Sequence, residues 1–160
     1  FLALAFYNER QLPVTVARLF NTVGPRQTGR YGMVLPRFIE AAKANEPIRV
    51  FGDGQQSRCF CHVQDTIESL IRLANCPNAP GNIFNIGSTE EVSILELANR
   101  IIKITGSKSE IKLVPYDLAY DSGFEDMQRR KPMINKLEKF TDFCPKTSLD
   151  DIIRSVAKID

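Results

Sequence analysis

The residues with the widest chemical reach in this chain are one histidine, four cysteines and a scatter of arginines. His62 stands beside Cys59-Phe60-Cys61, with Ser57 just upstream. A nucleophile and its base must converge with an orienting acid to make a catalytic triad. Ser57, Cys61 and His62 are too close together on one short strand to do so convincingly. Cys59-Phe60-Cys61 is not a zinc spacing, and three ligands on one strand would point to alternate faces, so no metal site is expected. Cys59, Cys61, Cys76 and Cys144 read better as free thiols in a reducing cytoplasm. No carboxylate pair stands out, and no GxGxxG or GxxxxGK(S/T) loop occurs. The arginines are more suggestive. Arg58 follows a Gly-rich turn, and Arg129-Arg130-Lys131 sits in a long loop. A planar guanidinium gives two parallel hydrogen bonds, which suits phosphate recognition at the mouth of an α/β fold. Taken singly, each arginine reads more readily as a solvated charge.

These residues need elements to position them. The organising stretch is Val14–Arg26, VTVARLFNTVGPR. Val14 to Phe20 is apolar and β-branched, the pattern of a buried strand. Asn21-Thr22 and Gly24-Pro25 then turn the chain abruptly. A strand that ends in a polar, kinked loop is where open α/β sheets take ligands. Ahead of it, Phe1 to Gln11 reads as a helix without a capping residue, which suggests a chain cut from something longer. After it come a polar loop from Gln27 to Gly32 and a helix from Met33 to Ala44. A strand over Pro47–Phe51 and a tight turn at Gly52-Asp53-Gly54 lead into one strand from Ser57 to Val63. Asp65 with Glu68 predicts a capping box for a helix ending near Asn75. Ile83–Ile86 reads as a buried strand. Ser93 with Glu96 opens a helix closed by Gly106. Ile111–Val114 is a strand, Tyr116–Pro132 a long irregular loop, and two short helices follow near Ile134–Phe140 and Leu149–Ala157, the second capped by Ser148.

With 160 residues, 43% hydrophobic and 25% charged, the chain suits one soluble globular domain. A net charge of +2 is too small to suggest nucleic acid or a membrane surface. No apolar run reaches the ~20 residues of a membrane helix, and FLALAFYNER does not read as a signal peptide. The alternating elements give an α/β class, yet a doubly wound sheet needs more β-α-β units than occur here.

Four blocks together carry a resemblance: RLFNTVGPRQTG, PIRVFGDGQQSRCFCHVQD, FNIGS and EDMQRRKP. In that order and spacing they resemble the C-terminal half of NAD-dependent nucleotide-sugar epimerases and dehydratases, the extended short-chain dehydrogenase/reductase family. The resemblance covers nearly the whole chain. It implies the last strands of a Rossmann-type sheet plus a small mixed α/β substrate-binding domain. Residues 1–32 would end the NAD-binding domain and 33–160 would form the substrate domain, with about 60–90 returning to the former. The family's glycine-rich motif and Tyr-x-x-x-Lys pair do not occur in this sequence. No catalytic residue is therefore assigned, the fragment alone is expected to be inactive, and NAD would be bound mainly by the absent N-terminal half.

The resemblance also implies roles by position. Asn21 would bond the substrate diphosphate, with Phe20, Asn21 and Thr22 near the nicotinamide. Val34 would offer a backbone N–H to the diphosphate. Arg49 and Phe51 would meet the nucleotide base through the main chain, while Arg58 and Arg130 would clamp the diphosphate. Where the family often has Asp, this chain has Met133. The implied ligand is a UDP-sugar or another nucleotide-sugar, in a cytoplasmic enzyme that dimerises at full length. The first expectation is a UDP-glucose 4-epimerase-like protein. UDP-glucuronate decarboxylase, dTDP-glucose 4,6-dehydratase and a non-catalytic nucleotide-sugar-binding module are the alternatives.

Overall fold

The computed structural model describes residues 1–29, 33–115 and 127–159. The expectations placed on 30–32 and on 116–126 lie outside the described residues.

The chain opens with helix α1 (Leu2–Arg10) and strand β1 (Val16–Leu19). β1 pairs in parallel with β6 (Ile83–Ile86), from Val16 opposite Ile83 to Leu19 opposite Ile86. Between them in sequence lies helix α3 (Val63–Ala74). Helix α5 (Asn135–Thr141) packs on β6 and α3. Phe84 and Ile86 of β6, Leu73 of α3 and Leu137 of α5 form one core. Phe84 meets the Phe140 ring edge-on, with centroids 5.2 Å apart.

β1 departs from the expected buried strand. Val16 and Ala17 are half-buried, while Arg18 and Leu19 are exposed. A parallel strand is buried when neighbours flank both edges and helices cover both faces. Among the described residues β1 has one neighbour, β6.

A second core gathers helix α2 (Val34–Ala44), strands β3 (Ile48–Phe51) and β8 (Ile111–Val114), and helices α4 (Ile94–Thr105) and α6 (Leu149–Ala157). α2 contributes Leu35, Phe38, Ile39 and Ala42, a one-sided apolar stripe at helical spacing. Leu97 and Ile101 of α4, Ile152 and Ile153 of α6 and Ile48 of β3 are fully buried against it. The helix ends follow their sequence signals. Ser93 Oγ accepts from Glu96 N at 3.1 Å, Gly106 closes α4 with φ 63°, and Ser148 Oγ accepts from Asp151 N at 3.2 Å.

Three expectations fail locally. The single strand over Ser57–Val63 is broken at buried Phe60 into β4 (Ser57–Cys59) and β5 (Cys61–His62). β5 pairs in parallel with β2 (Thr22–Val23). β4 instead joins a three-stranded sheet, antiparallel to β7 (Glu91–Ser93) and parallel to β9 (Arg129–Arg130). Thus a strand stands inside the stretch read as irregular loop. Nor does Asp65 cap α3: the chain is already helical at Val63, so His62 is the N-cap, its Nδ1 accepting from Gln64 N at 3.3 Å. The Asp65 carboxylate accepts instead from the backbone N–H groups of Lys146 (3.2 Å) and Thr147 (3.0 Å), and Glu68 pairs with Arg72.

Candidate functional site

At the carboxyl end of β1 the backbone turns through Asn21 with φ 37°, a left-handed conformation that Asn tolerates better than most residues. Asn21 Nδ2 donates to the Cys59 carbonyl at 2.8 Å, and its own carbonyl accepts from Cys61 N at 3.1 Å. One residue thus holds both sides of the β4–β5 break. The Asn amide has a second N–H, and its Oδ1 is an acceptor. Next to it, Thr22 Oγ1 lies 3.3 Å from Thr66 Oγ1. Gln27 Nε2 donates to the Thr22 carbonyl at 3.2 Å, while Gln27 Oε1 is buried with no hydrogen-bond partner among the described residues.

Alternation along β4 and β9 sorts the arginines by face. Arg58 stands opposite Arg130, and Ser57 opposite Arg129. Arg58 Nη1 donates to the Met127 and Ser57 carbonyls, both at 2.7 Å. The Arg130 guanidinium lies 5.3 Å over the Phe20 ring, a cation–π contact that ties β9 to the end of β1. Gly87 makes room for this: a Cβ there would stand 2.8 Å from Phe20 Cβ and 3.0 Å from Pro132 Cγ. Phe20, Asn21, Thr22, Arg58 and Arg130 therefore form one connected group.

Val34, Arg49 and Phe51 belong to a second group, on α2 and β3. Val34 begins α2, whose N-cap Met33 provides no side-chain hydrogen bond. Ile48 N donates to the Glu110 carbonyl just before β8 and Gly52 N to the Val114 carbonyl at its end, so alternate residues Arg49 and Phe51 turn their backbone groups toward the other edge of β3. The Phe51 carbonyl accepts from Gln56 Nε2 at 3.1 Å, and Arg37 lies over the Phe51 ring at 5.7 Å.

The basic cluster read as one unit is divided. Arg129 is bound to Glu91, Nε to Oε1 at 2.7 Å and Nη2 to Oε2 at 2.9 Å. Ser57 Oγ donates to the same Glu91 Oε1 at 2.6 Å, and Lys131 Nζ stands 3.9 Å from Oε2. These bonds hold the Glu91 carboxyl far below the ordinary range, at about 2. Glu91 escapes a local reading because its partners Ser57 and Arg129 lie 34 and 38 residues away.

His62 and the thiols form no nucleophilic set. His62 Nδ1 accepts from Gln64 N, which places the neutral ring's proton on Nε2, facing Ser155 Oγ at 3.2 Å. In that tautomer His62 is a donor to the serine and not its base. All four cysteines are free. Burial pushes the Cys59 and Cys61 thiols up, which keeps them un-ionised and inert at neutral pH. Among the described residues no three metal-ligating side chains converge. No described helix is long and apolar enough to cross a membrane.

The NAD dependent epimerase/dehydratase family model matches residues 2–87, more than half of the chain. The chain belongs to that family. It is 43% identical over 143 residues to a UDP-N-acetyl-alpha-D-glucosaminuronate decarboxylase from Bacillus cytotoxicus, covering 89% of this chain and 44% of that protein. It is 33% identical over 148 residues to UDP-glucuronic acid decarboxylase 2 from Arabidopsis thaliana, covering 92% of this chain and 32% of that protein. Among solved structures, it superimposes on a UDP-glucuronic acid 4-epimerase from Bacillus cereus in complex with UDP-glucuronic acid and NAD. That match has a TM-score of 0.86 at 25% identity, over 98% of this chain and 48% of the other. The α/β reading and the family expected from the four sequence blocks are borne out. The chain spans less than half the length of these relatives.

NAD is the cofactor of the family. The residues present fit the edge of such a site and not its cradle. This sequence has no glycine-rich dinucleotide turn. The carboxyl end of β1 does offer Asn21 and, a few residues on, a buried acceptor at Gln27 Oε1 with no donor among the described residues, both suited to a polar ligand.

Proposed function

We propose that this chain is the nucleotide-sugar-binding C-terminal portion of an NAD-dependent UDP-sugar enzyme whose full-length reaction is decarboxylation of a UDP-uronate. One observation carries the binding reading: Arg58 and Arg130 are direct neighbours across β4 and β9, beside Phe20 and Asn21. Two arginines at paired positions of neighbouring strands, close to the carboxyl end of β1, suit the adjacent phosphates of a nucleoside diphosphate. Asn21 would add its second amide N–H, and Val34 the N–H of an uncapped helix start. Arg49 and Phe51 would meet the nucleotide base along the outer edge of β3. Phe20, Asn21 and Thr22 would line the nicotinamide side. NAD, when bound, supplies a reversible acceptor for a hydride from the sugar ring.

The uronate decarboxylase relatives support the choice of reaction. The second reading is 4-epimerisation, favoured by the likeness to the UDP-glucuronic acid 4-epimerase structure. Residues 1–32 and about 60–90 are assigned to the NAD-binding domain and the rest to the substrate domain. The core of Leu73, Ala79, Phe84 and Ile86 supports this, although Leu137 joins that core and Val23 and Phe60 join the other. The full-length protein is proposed to be a cytoplasmic homodimer, and this chain alone to be inactive. The test is turnover of UDP-glucuronate, UDP-N-acetylglucosaminuronate and UDP-glucose with NAD. The full-length protein is expected to release carbon dioxide from a uronate, and this chain alone to turn over none. Epimerised uronate without carbon dioxide would give the second reading. Turnover by this chain alone would overturn the claim that it supplies binding without chemistry.

A further inference from the structure

Glu91 lies on the face of the three-stranded sheet opposite Arg58 and Arg130. Its antiparallel partner is Cys59, two residues from Ser57, so Glu91, Ser57 and Arg129 share one face. From β7 the carboxylate reaches across β4 to β9. It accepts from Ser57 Oγ on the middle strand and, through both oxygens, from the Arg129 fork on the far strand. Three consecutive cations, Arg129, Arg130 and Lys131, are thereby separated. The outer two turn to Glu91, and Arg130 alone turns to the other face, over Phe20.

Besides this pair, β9 is held by Arg130 over Phe20 and by Arg58 Nη1 on the neighbouring Met127 carbonyl, while the strand itself offers little. It is two residues long, and its ladder is extended by Ser57 N donating to the Gln128 carbonyl at 2.8 Å. A ladder that short barely offsets the entropy of ordering the chain. A bidentate carboxylate–guanidinium pair adds both strength and a fixed angle.

We propose that Glu91 is a positioning residue: by clamping Arg129 from behind the sheet, it fixes β9 against β4 and so sets the spacing of Arg58 and Arg130 for a nucleoside diphosphate. This rests on the diphosphate reading of the Arg58–Arg130 face. Glu91 itself does not touch the ligand. Its effect is confined to ligands that bear the phosphates, because uridine alone does not engage the paired guanidiniums.

The experiment is calorimetric titration of the full-length protein with UDP and with uridine. The variants are Glu91→Gln, Glu91→Arg, Arg129→Glu, the exchanged pair Glu91→Arg with Arg129→Glu, and Arg58→Ala and Arg130→Ala as references. Each single change at 91 or 129 is expected to weaken UDP by about five- to tenfold while uridine stays within about twofold, and the exchanged pair to recover most of the loss. Unchanged UDP affinity in Glu91→Gln and Arg129→Glu, beside clear losses in Arg58→Ala and Arg130→Ala, would overturn the clamp and leave the diphosphate reading standing. Equal losses for UDP and uridine, or no recovery in the exchanged pair, would reduce Glu91 to a general structural role and also overturn it. If Arg58→Ala and Arg130→Ala leave UDP binding untouched, the diphosphate reading fails and the clamp falls with it.

Discussion

Single residues decide which of this chain's charges belong to the site. In sequence, Arg129-Arg130-Lys131 is one basic run, but adjacent strand residues face opposite ways. Arg130 reaches Phe20, while Arg129 is taken by Glu91. The basic run was legible; its division was not, because Glu91 lies 38 residues from Arg129. The same holds for Asn21. Its polarity marked the end of the strand, but its hold on Cys59 and Cys61 depends on a long-range fold. Glu91 also carries a pH prediction. Its folded-state value is lowered from 4.5 to about 2 by Arg129 and Ser57, so its contribution is fully present above about pH 4.5 and is lost as pH falls through about 2. The melting temperature of the wild type should therefore exceed that of Glu91→Gln by a constant margin from pH 8 down to about 4.5. The margin should close between there and pH 2. A margin that is unchanged at pH 2, or that vanishes already at pH 6, would show that the carboxylate does not hold Arg129 as described.

At the scale of elements, the helices were the legible part. α4 and α6 announce themselves by Ser93, Gly106 and Ser148, and α2 by its apolar stripe. These are local signals, complete within one or two turns. The short strands β2, β7 and β9 have two or three residues each and no local pattern to reveal them. The break at Phe60 is set by pairing with two different sheets. α3 shows a further mismatch between element and surroundings. Ile67, Leu70 and Ile71 share one of its faces and are 43%, 39% and 51% exposed. On α1, Leu2 and Phe6 are exposed as well, while Leu4 is half-buried. Apolar stripes of this kind drive association. Light scattering over a concentration series should show the 160-residue chain self-associating. Replacing Ile67 and Ile71 with Ser should reduce that more than replacing Leu4. A monodisperse monomer at high concentration would contradict this reading of α3.

For the whole molecule, Asn21 and Phe20 join the end of β1 to the three-stranded sheet, through the Cys59 carbonyl and Arg130. That junction is where the candidate site lies. β4, in the middle of that sheet, runs directly into the break that Asn21 holds, so Arg58, Asn21 and Arg130 are fixed by one framework. The four sequence blocks made the family legible. The incomplete sheet was legible too, as a shortage of β-α-β units. What distinguishes decarboxylase from epimerase was not legible, because the relatives are more than twice as long as the matched part. The claim at the centre of this account is that paired arginines read a diphosphate. Calorimetry with UDP, UMP and uridine on the full-length protein tests it most directly. Wild type should bind UDP more tightly than UMP, and UMP more tightly than uridine. Arg58→Ala should weaken UDP by about 1.5–3 kcal/mol, the scale of a charged hydrogen bond, with a smaller loss for UMP and almost none for uridine. Equal losses for all three ligands, or a wild type that does not distinguish UDP from uridine, would contradict it.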